Sequence, residues 1–197
     1  LPPVVEPASQ YFNTKQKVGQ IESEASNAGS EPEESEPGLT MKNVSYKYPA
    51  GAYDALSDVS ITVAEGEKHA IIGSSGSGKT TLLNRLIEKK DMGIMPQYLD
   101  FYNASIRDNL TMFGHFKISD EAIKSLLAEF ELEHFDPDDF VYYTGQLSGG
   151  EQKRLHFIRM IIEDEDWWIL DEPSAKLNKE LQEKVWQSIL DRQTVIV

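Results

Sequence analysis

The sequence predicts an α/β fold in which a mostly parallel sheet is flanked by helices, and two stretches carry this prediction. In the first, the apolar pair Ile71-Ile72 leads into a glycine-rich stretch, which is followed by apolar residues at helical spacing, at positions 82, 83, 86 and 87. In the second, the apolar segment Trp167–Leu170 ends in the acidic pair Asp171-Glu172. Strands that alternate with helical patterns in this way indicate a parallel sheet.

The glycine-rich stretch reads Gly73-Ser74-Ser75-Gly76-Ser77-Gly78-Lys79-Thr80, which is the G-x-x-x-x-G-K-[ST] pattern of a phosphate-binding P-loop. Glycine tolerates positive φ and lets the backbone come close to a polyphosphate, while the N–H groups and the helix N-terminus supply partial positive charge. Lys79 would reach the β- and γ-phosphates, and the Thr80 hydroxyl would bind Mg²⁺. The stretch therefore predicts a nucleotide-binding protein; the alternative is a glycine-rich turn without a ligand.

The composition limits the partners that the chain can have. Its 197 residues fit one domain plus a tail, and its net charge of -14 argues against nucleic acid, which requires a basic face. The absence of cysteine excludes disulfides and thiolate metal sites. No run of apolar residues approaches the 18 or so that a membrane-spanning helix needs.

The N-terminal part differs in composition from the rest of the chain. Residues 1–38 hold five of the nine prolines and an acidic run at 31–36, so we expect an acidic, proline-rich linker there. Residues 8–21 within it form either a short docked helix or disordered chain. From residue 39, short apolar segments at 41–46, 55–56 and 59–63 predict a small antiparallel layer in front of the P-loop.

The remaining segments alternate between strand and helix patterns. Strands are predicted at 68–72, 93–97, 167–170 and 194–197, and helices at 105–110 and 120–130. A further helix is predicted to open at residues 147–152 and to run to about residue 162, and the last lies around Leu181, Val185 and Ile189.

Two motifs in this second half are specific to one family. Asp171-Glu172 after four apolar residues form a Walker B strand, and Leu147-Ser148-Gly149-Gly150-Glu151-Gln152 read as a signature sequence. Together with the P-loop, they resemble the nucleotide-binding domain of ATP-binding cassette (ABC) transporters over residues 39–197. Ser148 and Glu151 also have the S-x-x-E spacing of a helix capping box, and both interpretations hold together.

The resemblance implies a role for each matching residue. Tyr48 would stack under adenine, with packing inside the sheet as its alternative, and Thr81 would join the P-loop residues in binding the nucleotide. Asp171 and Gln97 would bind Mg²⁺ with Thr80; Glu172 would polarise the attacking water, with Lys79 and Gln97 as further catalytic residues. Ser148, Gly149 and Gly150 would complete the site of a second nucleotide-binding domain in a head-to-tail dimer.

The resemblance also implies where the domain works. The segment 101–110 resembles the one that follows the Q-loop in exporters. This favours an exporter. The fold that the family resemblance implies is a P-loop NTPase core with an N-terminal antiparallel subdomain and a helical signature subdomain at about 103–165. The domain would follow a membrane domain through the 1–38 linker, at the cytoplasmic face, and hydrolyse ATP to drive export. The alternatives are a nucleotide-binding regulatory module with little ATPase activity, and a soluble ABC protein acting on ribosomes, chromosomes or repair.

Three features depart from the family pattern. The spacing from Lys79 to Gln97 is short, which predicts either a deletion or an omitted segment near 89–93. Residues 174–178 align with the D-loop of the family, in which Asn178 stands where Asp is usual; Asn keeps the ability to cap a helix but lacks the charge. Finally, none of the four histidines takes the position of the family's switch histidine, so all four are expected to be structural or solvated.

Overall fold

The computed structural model describes residues 38–49, 51–190 and 194–196. They divide into two compact units, one made of Tyr98–Glu163 and the other of 38–97 and 164–196. The first unit covers nearly the same residues as the predicted signature subdomain. Of the predicted linker, residues 1–37 lie outside the described residues, while Gly38 already belongs to the first strand.

An antiparallel pair of strands opens the larger unit. Strand β1 (Gly38–Tyr46) pairs with β2 (Leu56–Ala64), with Leu39 opposite Val63. The register shifts twice along the pair, and Asn43 and Asp58 have positive φ there, as in β-bulges. The Asn43 amide donates to the Asp58 carboxylate at 2.6 Å. Leu56 and the segment predicted at 59–63 therefore form one bulged strand rather than two, and Ala55 precedes it.

The same unit contains a four-stranded parallel sheet in the order β3-β8-β7-β4, made of β3 (Lys68–His69), β4 (Gly93–Met95), β7 (Trp167–Leu170) and β8 (Thr194–Ile196). Strand β7 lies between two neighbours, and all four of its side chains are buried. Such double burial explains why this segment is a continuous apolar run.

The helices of this unit are α1 (Lys79–Ile87) and α5 (Lys179–Leu190). One hydrophobic cluster joins α1, the β1–β2 pair and β7 through the buried residues Leu39, Met41, Val63, Leu83, Leu86, Met92, Trp167 and Ile169. This cluster fixes the start of α1, and with it the P-loop, against the strand that carries Asp171.

Strand β3, which precedes the P-loop, is shorter than the predicted range 68–72. The parallel ladder pairs Lys68 with Val195 and His69 with Ile196, and the described part of β8 ends there. Residues 70–72 do not belong to a strand, and the Ile72 side chain is 92% exposed. The prediction that residues 70–72 continue the strand is therefore wrong. Of the predicted strand at 194–197, Val197 lies outside the described residues.

The unit Tyr98–Glu163 is mainly helical. It contains α2 (Ile106–Thr111), α3 (Asp120–Glu129) and α4 (Gly149–Glu163), with a short antiparallel pair of β5 (Ala104–Ser105) and β6 (Phe140–Val141) and a 3₁₀ turn at Thr144–Gln146. Phe130 and Phe157 are buried and meet edge to face at 5.5 Å between ring centroids. Among the described residues, no helix is long and apolar enough to span a bilayer.

Candidate nucleotide site and signature helix

The P-loop connects β3 to α1 and has the backbone conformation that its glycines permit. Gly76 and Gly78 have φ values of 79° and 92°, and Gly78 is the N-cap of α1 without a side-chain cap. A Cβ at Gly78 would lie 2.4 Å from the Ala55 carbonyl oxygen, whereas a Cβ at Gly76 would meet nothing within 4 Å. Residues 73–77 are exposed, so the start of α1 offers backbone N–H groups to an anion.

The Lys79 ammonium folds back over the loop. Its Nζ donates to the carbonyl oxygens of Gly73 and Ser74 at 2.8 and 2.9 Å. These two bonds fix the ammonium beside the exposed loop, where a cation is needed to bind phosphate oxygens.

The P-loop and the end of β7 meet through oxygen atoms. The Thr80 hydroxyl donates to Asp171 Oδ2 at 3.1 Å, and the Asp171 N–H donates to the Met95 carbonyl oxygen at 2.8 Å. A hydroxyl and a carboxylate are the hard oxygen donors that Mg²⁺ prefers, and Mg²⁺ needs few protein ligands because waters and phosphates supply the others. The donor set therefore fits Mg²⁺. Among the described residues there is no cluster of three or more His, Cys, Asp and Glu that would suit another metal.

Glu172 begins a tight turn directly after Asp171. It is exposed and has a φ of 52°, a left-handed conformation that is uncommon outside glycine. The Ala175 N–H donates to the Glu172 carbonyl oxygen at 3.2 Å, which closes the turn. Because of this left-handed conformation, the backbone at Glu172 turns away from the extended path of the buried strand β7.

Asn178 is the N-cap of α5. Its Oδ1 accepts from the Leu181 N–H at 2.9 Å, and its carbonyl oxygen accepts from the Gln182 N–H. The expectation that Asn178 retains the capping function of the usual Asp is confirmed.

Gln97 follows β4 at the same edge of the sheet as the acidic pair. Met95 pairs with Leu170, so Gln97 lies two residues beyond the end of β4 while Asp171 and Glu172 come directly after β7. The Gln97 side chain is exposed. Ligand sites of parallel sheets lie at this carboxyl edge.

Tyr48 lies beside α1. Its hydroxyl is 3.1 Å from the Thr81 hydroxyl, and its ring meets that of Tyr46 edge to face at 4.9 Å while remaining 45% exposed. The Arg85 guanidinium lies 4.0 Å from the Tyr46 ring centroid. Sequence reasoning missed these supports of Tyr48, which depend on contacts between residues far apart in the chain.

The signature motif begins α4 in the other unit. The Ser148 N–H donates to Glu151 Oε2 at 2.7 Å, and the Glu151 N–H donates to the Ser148 hydroxyl oxygen at 3.3 Å, so the capping box is formed. Gly149 and Gly150 make up the first turn. The side-chain amide of Gln152 donates to the carbonyl oxygens of Thr144 and Leu147, and so it ties the first turn of α4 to the chain that precedes the motif.

Glu151 of the signature has a further partner, His134, that the sequence did not predict. His134 Nε2 lies 3.0 Å from Glu151 Oε1. Burial raises the pKa of Glu151, but the hydrogen bonds from Ser148 and His134 outweigh it, and the pKa lies below its ordinary value. The carboxylate is therefore ionised at neutral pH.

The structure thus brings together the P-loop, Thr80, Asp171 and Tyr48 within one unit, with Gln97 and Glu172 at the same sheet edge. Ser148, Gly149 and Gly150 belong to the other unit and form a second candidate element, a helix start at which Ser148 is exposed and the two glycines are partly buried.

Comparisons with known proteins identify the family of the chain. A profile of the family described as "ABC transporter" matches residues 56–93 and 85–175. The two matched segments overlap at 85–93, within the short Lys79–Gln97 interval. Whether that interval reflects a deletion or an omitted segment stays a prediction.

Curated relatives include the glutathione/L-cysteine transport system ATP-binding/permease protein CydC of Escherichia coli, which is 29% identical over 78% of this chain and 32% of its own length. The ATP-dependent lipid A-core flippase of Haemophilus influenzae is 28% identical over 90% of this chain and 36% of its own length. The β-(1→2)glucan export ATP-binding/permease protein NdvA of Brucella abortus is 30% identical over 77% of this chain and 30% of its own length. The chain therefore spans about a third of these relatives.

A solved structure has the same fold. The structure of a bacterial Atm1-family ABC exporter with ATP bound superimposes with a TM-score of 0.70 at 23% identity, covering 81% of this chain and 34% of that one.

Proposed function

This chain belongs to the ABC transporter family, and from that premise we propose that it is the ATP-hydrolysing domain of an exporter. The observation that carries the proposal is the contact between the Thr80 hydroxyl and the Asp171 carboxylate, at 3.1 Å. It joins the P-loop to the Walker B strand through two oxygen ligands. A glycine turn with a structural role only would not need a carboxylate at this place.

ATP binds along the P-loop in this account. The backbone N–H groups of residues 73–81 hold the phosphates, and the Lys79 ammonium leaves the Gly73 and Ser74 carbonyls for phosphate oxygens. Its two present bonds place it within reach of the loop. The Tyr48 ring, half exposed, stacks on adenine.

Thr80, Asp171 and Gln97 would hold Mg²⁺, which when bound would neutralise charge on the phosphates. Glu172 accepts a proton from the attacking water, as a general base does. Its exposed position directly after Asp171 supports this role. Catalysis then consists mainly of positioning and charge stabilisation.

A second copy of the domain completes each site. Ser148, Gly149 and Gly150 of one copy contact the γ-phosphate of ATP bound to the other, in a head-to-tail dimer. The Ser148 hydroxyl oxygen accepts from the Glu151 N–H, so its own proton can be donated to a phosphate oxygen.

The domain works together with a membrane domain at the cytoplasmic face of a membrane. The ATP-binding/permease names of CydC and NdvA, and the flippase among the relatives, support this role over a soluble ABC protein. The net charge of -14 likewise disfavours a nucleic-acid partner.

Glu172→Gln tests the proposal, because it removes the base and keeps the shape of the side chain. We expect MgATP binding to be retained and turnover to fall about 10²- to 10⁴-fold. Binding is measured by equilibrium titration and turnover by phosphate release. Unchanged turnover would contradict the role of Glu172. Binding without turnover in the unaltered chain would favour the alternative of a regulatory module, with which the uncharged Asn178 in the D-loop is compatible.

A further inference from the structure

Two tyrosines at the end of β1 form an aromatic pair. Tyr46 is the last residue of β1, and Tyr48 follows two residues later. Their rings meet edge to face, with 4.9 Å between the centroids and an angle of 82° between the planes. The quadrupoles of two aromatic rings favour this geometry, so each ring restrains the other.

Helix α1 contacts both members of the pair. Thr81 and Arg85 are four residues apart on this helix and therefore share one of its faces. The Thr81 hydroxyl is 3.1 Å from the Tyr48 hydroxyl. The Arg85 guanidinium lies 4.0 Å from the centroid of the Tyr46 ring, and the Arg85 side chain is only 15% exposed. A cation–π contact is stronger where water is excluded, so the helix that begins at the P-loop fixes both rings.

This support matters because Tyr48 lies at the surface, 45% exposed. A side chain that must be ordered when a ligand binds costs about two- to ten-fold in affinity. A ring that is held at its hydroxyl by Thr81 and along its side by Tyr46 has lost this freedom before the ligand arrives.

We infer that Tyr46, held by Arg85, is a positioning residue of the adenine subsite: it fixes the ring plane of Tyr48 before the nucleotide binds. The inference rests on the proposed function, in which Tyr48 stacks on adenine. The same helix offers its N-terminal N–H groups to the phosphates, so one element sets the distance between the base and the phosphates. Tyr46 therefore adds affinity for the nucleoside and none for a bare polyphosphate.

A role of Tyr46 in packing alone would have a different effect. The Ala55 N–H donates to the Tyr46 carbonyl oxygen at 2.7 Å. Gly78 packs so closely on Ala55 that a Cβ there would lie 2.4 Å from the Ala55 carbonyl oxygen. Loosening of Tyr46 would thus reach the P-loop through these residues and lower the affinity for phosphates as well.

The experiment compares the binding of MgATP with that of magnesium tripolyphosphate, which has the phosphates without the nucleoside. Both are titrated by calorimetry into the full chain carrying Glu172→Gln, so that ATP is not hydrolysed during the titration. We expect Tyr46→Leu and Arg85→Met each to weaken MgATP binding about two- to ten-fold, the cost of ordering the Tyr48 ring. The affinity for tripolyphosphate stays unchanged in both variants.

Two matched variants isolate the ring and the cation. Tyr46→Phe keeps an aromatic ring against Tyr48 and is expected to bind MgATP as the unaltered residue does. Glu88→Gln removes the ion pair between Glu88 and Arg85, at 3.1 Å, but keeps the guanidinium over the ring, so the affinity is likewise retained.

Equal losses of affinity for MgATP and tripolyphosphate would assign Tyr46 to packing and overturn the inference. Unchanged MgATP affinity in Tyr46→Leu and Arg85→Met would also overturn it, as would a loss in Tyr46→Phe as large as that in Tyr46→Leu. If the chain with Tyr46 and Arg85 intact binds neither ligand, the proposed function itself has failed.

Discussion

The Thr80 hydroxyl and the Asp171 carboxylate lie 3.1 Å apart although 91 residues separate them in the chain. The contact joins the first turn of α1 to the end of β7. The hydrophobic cluster beneath it, with Leu83 and Leu86 from α1 and Trp167 and Ile169 from β7, holds the two elements together. The nucleotide site therefore depends on the packing of this core, and several consequences can be measured.

Tyr48→Ala is expected to weaken MgATP binding about 5- to 100-fold, because stacking of a base on an aromatic ring contributes about 1–3 kcal/mol. Tyr48→Phe keeps the ring and loses only the bond to the Thr81 hydroxyl, so its affinity stays close to that of the unaltered chain. Equilibrium binding measures both, with Tyr53→Ala as a control at a residue that is 87% exposed. Equal losses in the Ala and Phe variants would show that the hydroxyl, and not the ring, matters.

Gly78→Ala is expected to destabilise the protein more than Gly76→Ala. Both glycines have positive φ, which costs an alanine about 1–2 kcal/mol. At Gly78 the new Cβ would also lie 2.4 Å from the Ala55 carbonyl oxygen, whereas the space at Gly76 is open. Urea denaturation measures the difference in the free energy of unfolding. Equal losses in the two variants would mean that the backbone at Ala55 moves aside.

Asn178→Ala is expected to lower the free energy of unfolding by about 1 kcal/mol, because the Leu181 N–H at the start of α5 loses its acceptor. Asn178→Asp keeps the acceptor and adds a favourable charge at the helix N-terminus, so it retains or slightly raises the stability. Thermal and urea denaturation of the two variants are compared. A loss in both would assign Asn178 a role other than capping.

The Glu151 carboxylate makes stability depend on acid pH. Its pKa is lowered from the ordinary 4.5, since the hydrogen bonds from Ser148 and His134 outweigh the effect of burial, which raises it. A lowered pKa gives stability that is complete above the ordinary value and is lost as the pH falls through the lowered one. Urea midpoints of the unaltered chain and of Glu151→Gln should therefore converge as the pH drops below about 4.5. Parallel curves down to lower pH would contradict the shift.

Local sequence patterns predicted the elements in which the apolar residues are all buried. The four apolar residues of β7 are a complete buried strand, and Leu181, Val185 and Ile189 mark the buried face of α5. The capping box at Ser148 and Glu151 was also readable, because both partners lie within one turn.

Local patterns could not predict contacts between residues that lie far apart in the sequence. Strand β3 pairs with β8, Lys68 with Val195 and His69 with Ile196, and these partners lie far apart in the chain. The contacts of Tyr48 with Thr81 and of His134 with Glu151 join residues 33 and 17 positions apart. For the contact between His134 and Glu151, the sequence offered only the acidic Glu151 in the signature. His134 lies in a loop without hydrophobic periodicity, so nothing local marked it as the partner.

The most direct test of the account mixes two inactive variants. Lys79→Ala damages the P-loop and Ser148→Arg blocks the signature, so a dimer of either variant alone has two defective sites. A mixed dimer has one site with an intact P-loop from one chain and an intact signature from the other. We predict that each variant alone lacks MgATP turnover, that mixing restores part of it, and that turnover of the unaltered chain rises faster than linearly with its concentration. An active unaltered chain with turnover linear in concentration, and no recovery on mixing, would contradict the shared site.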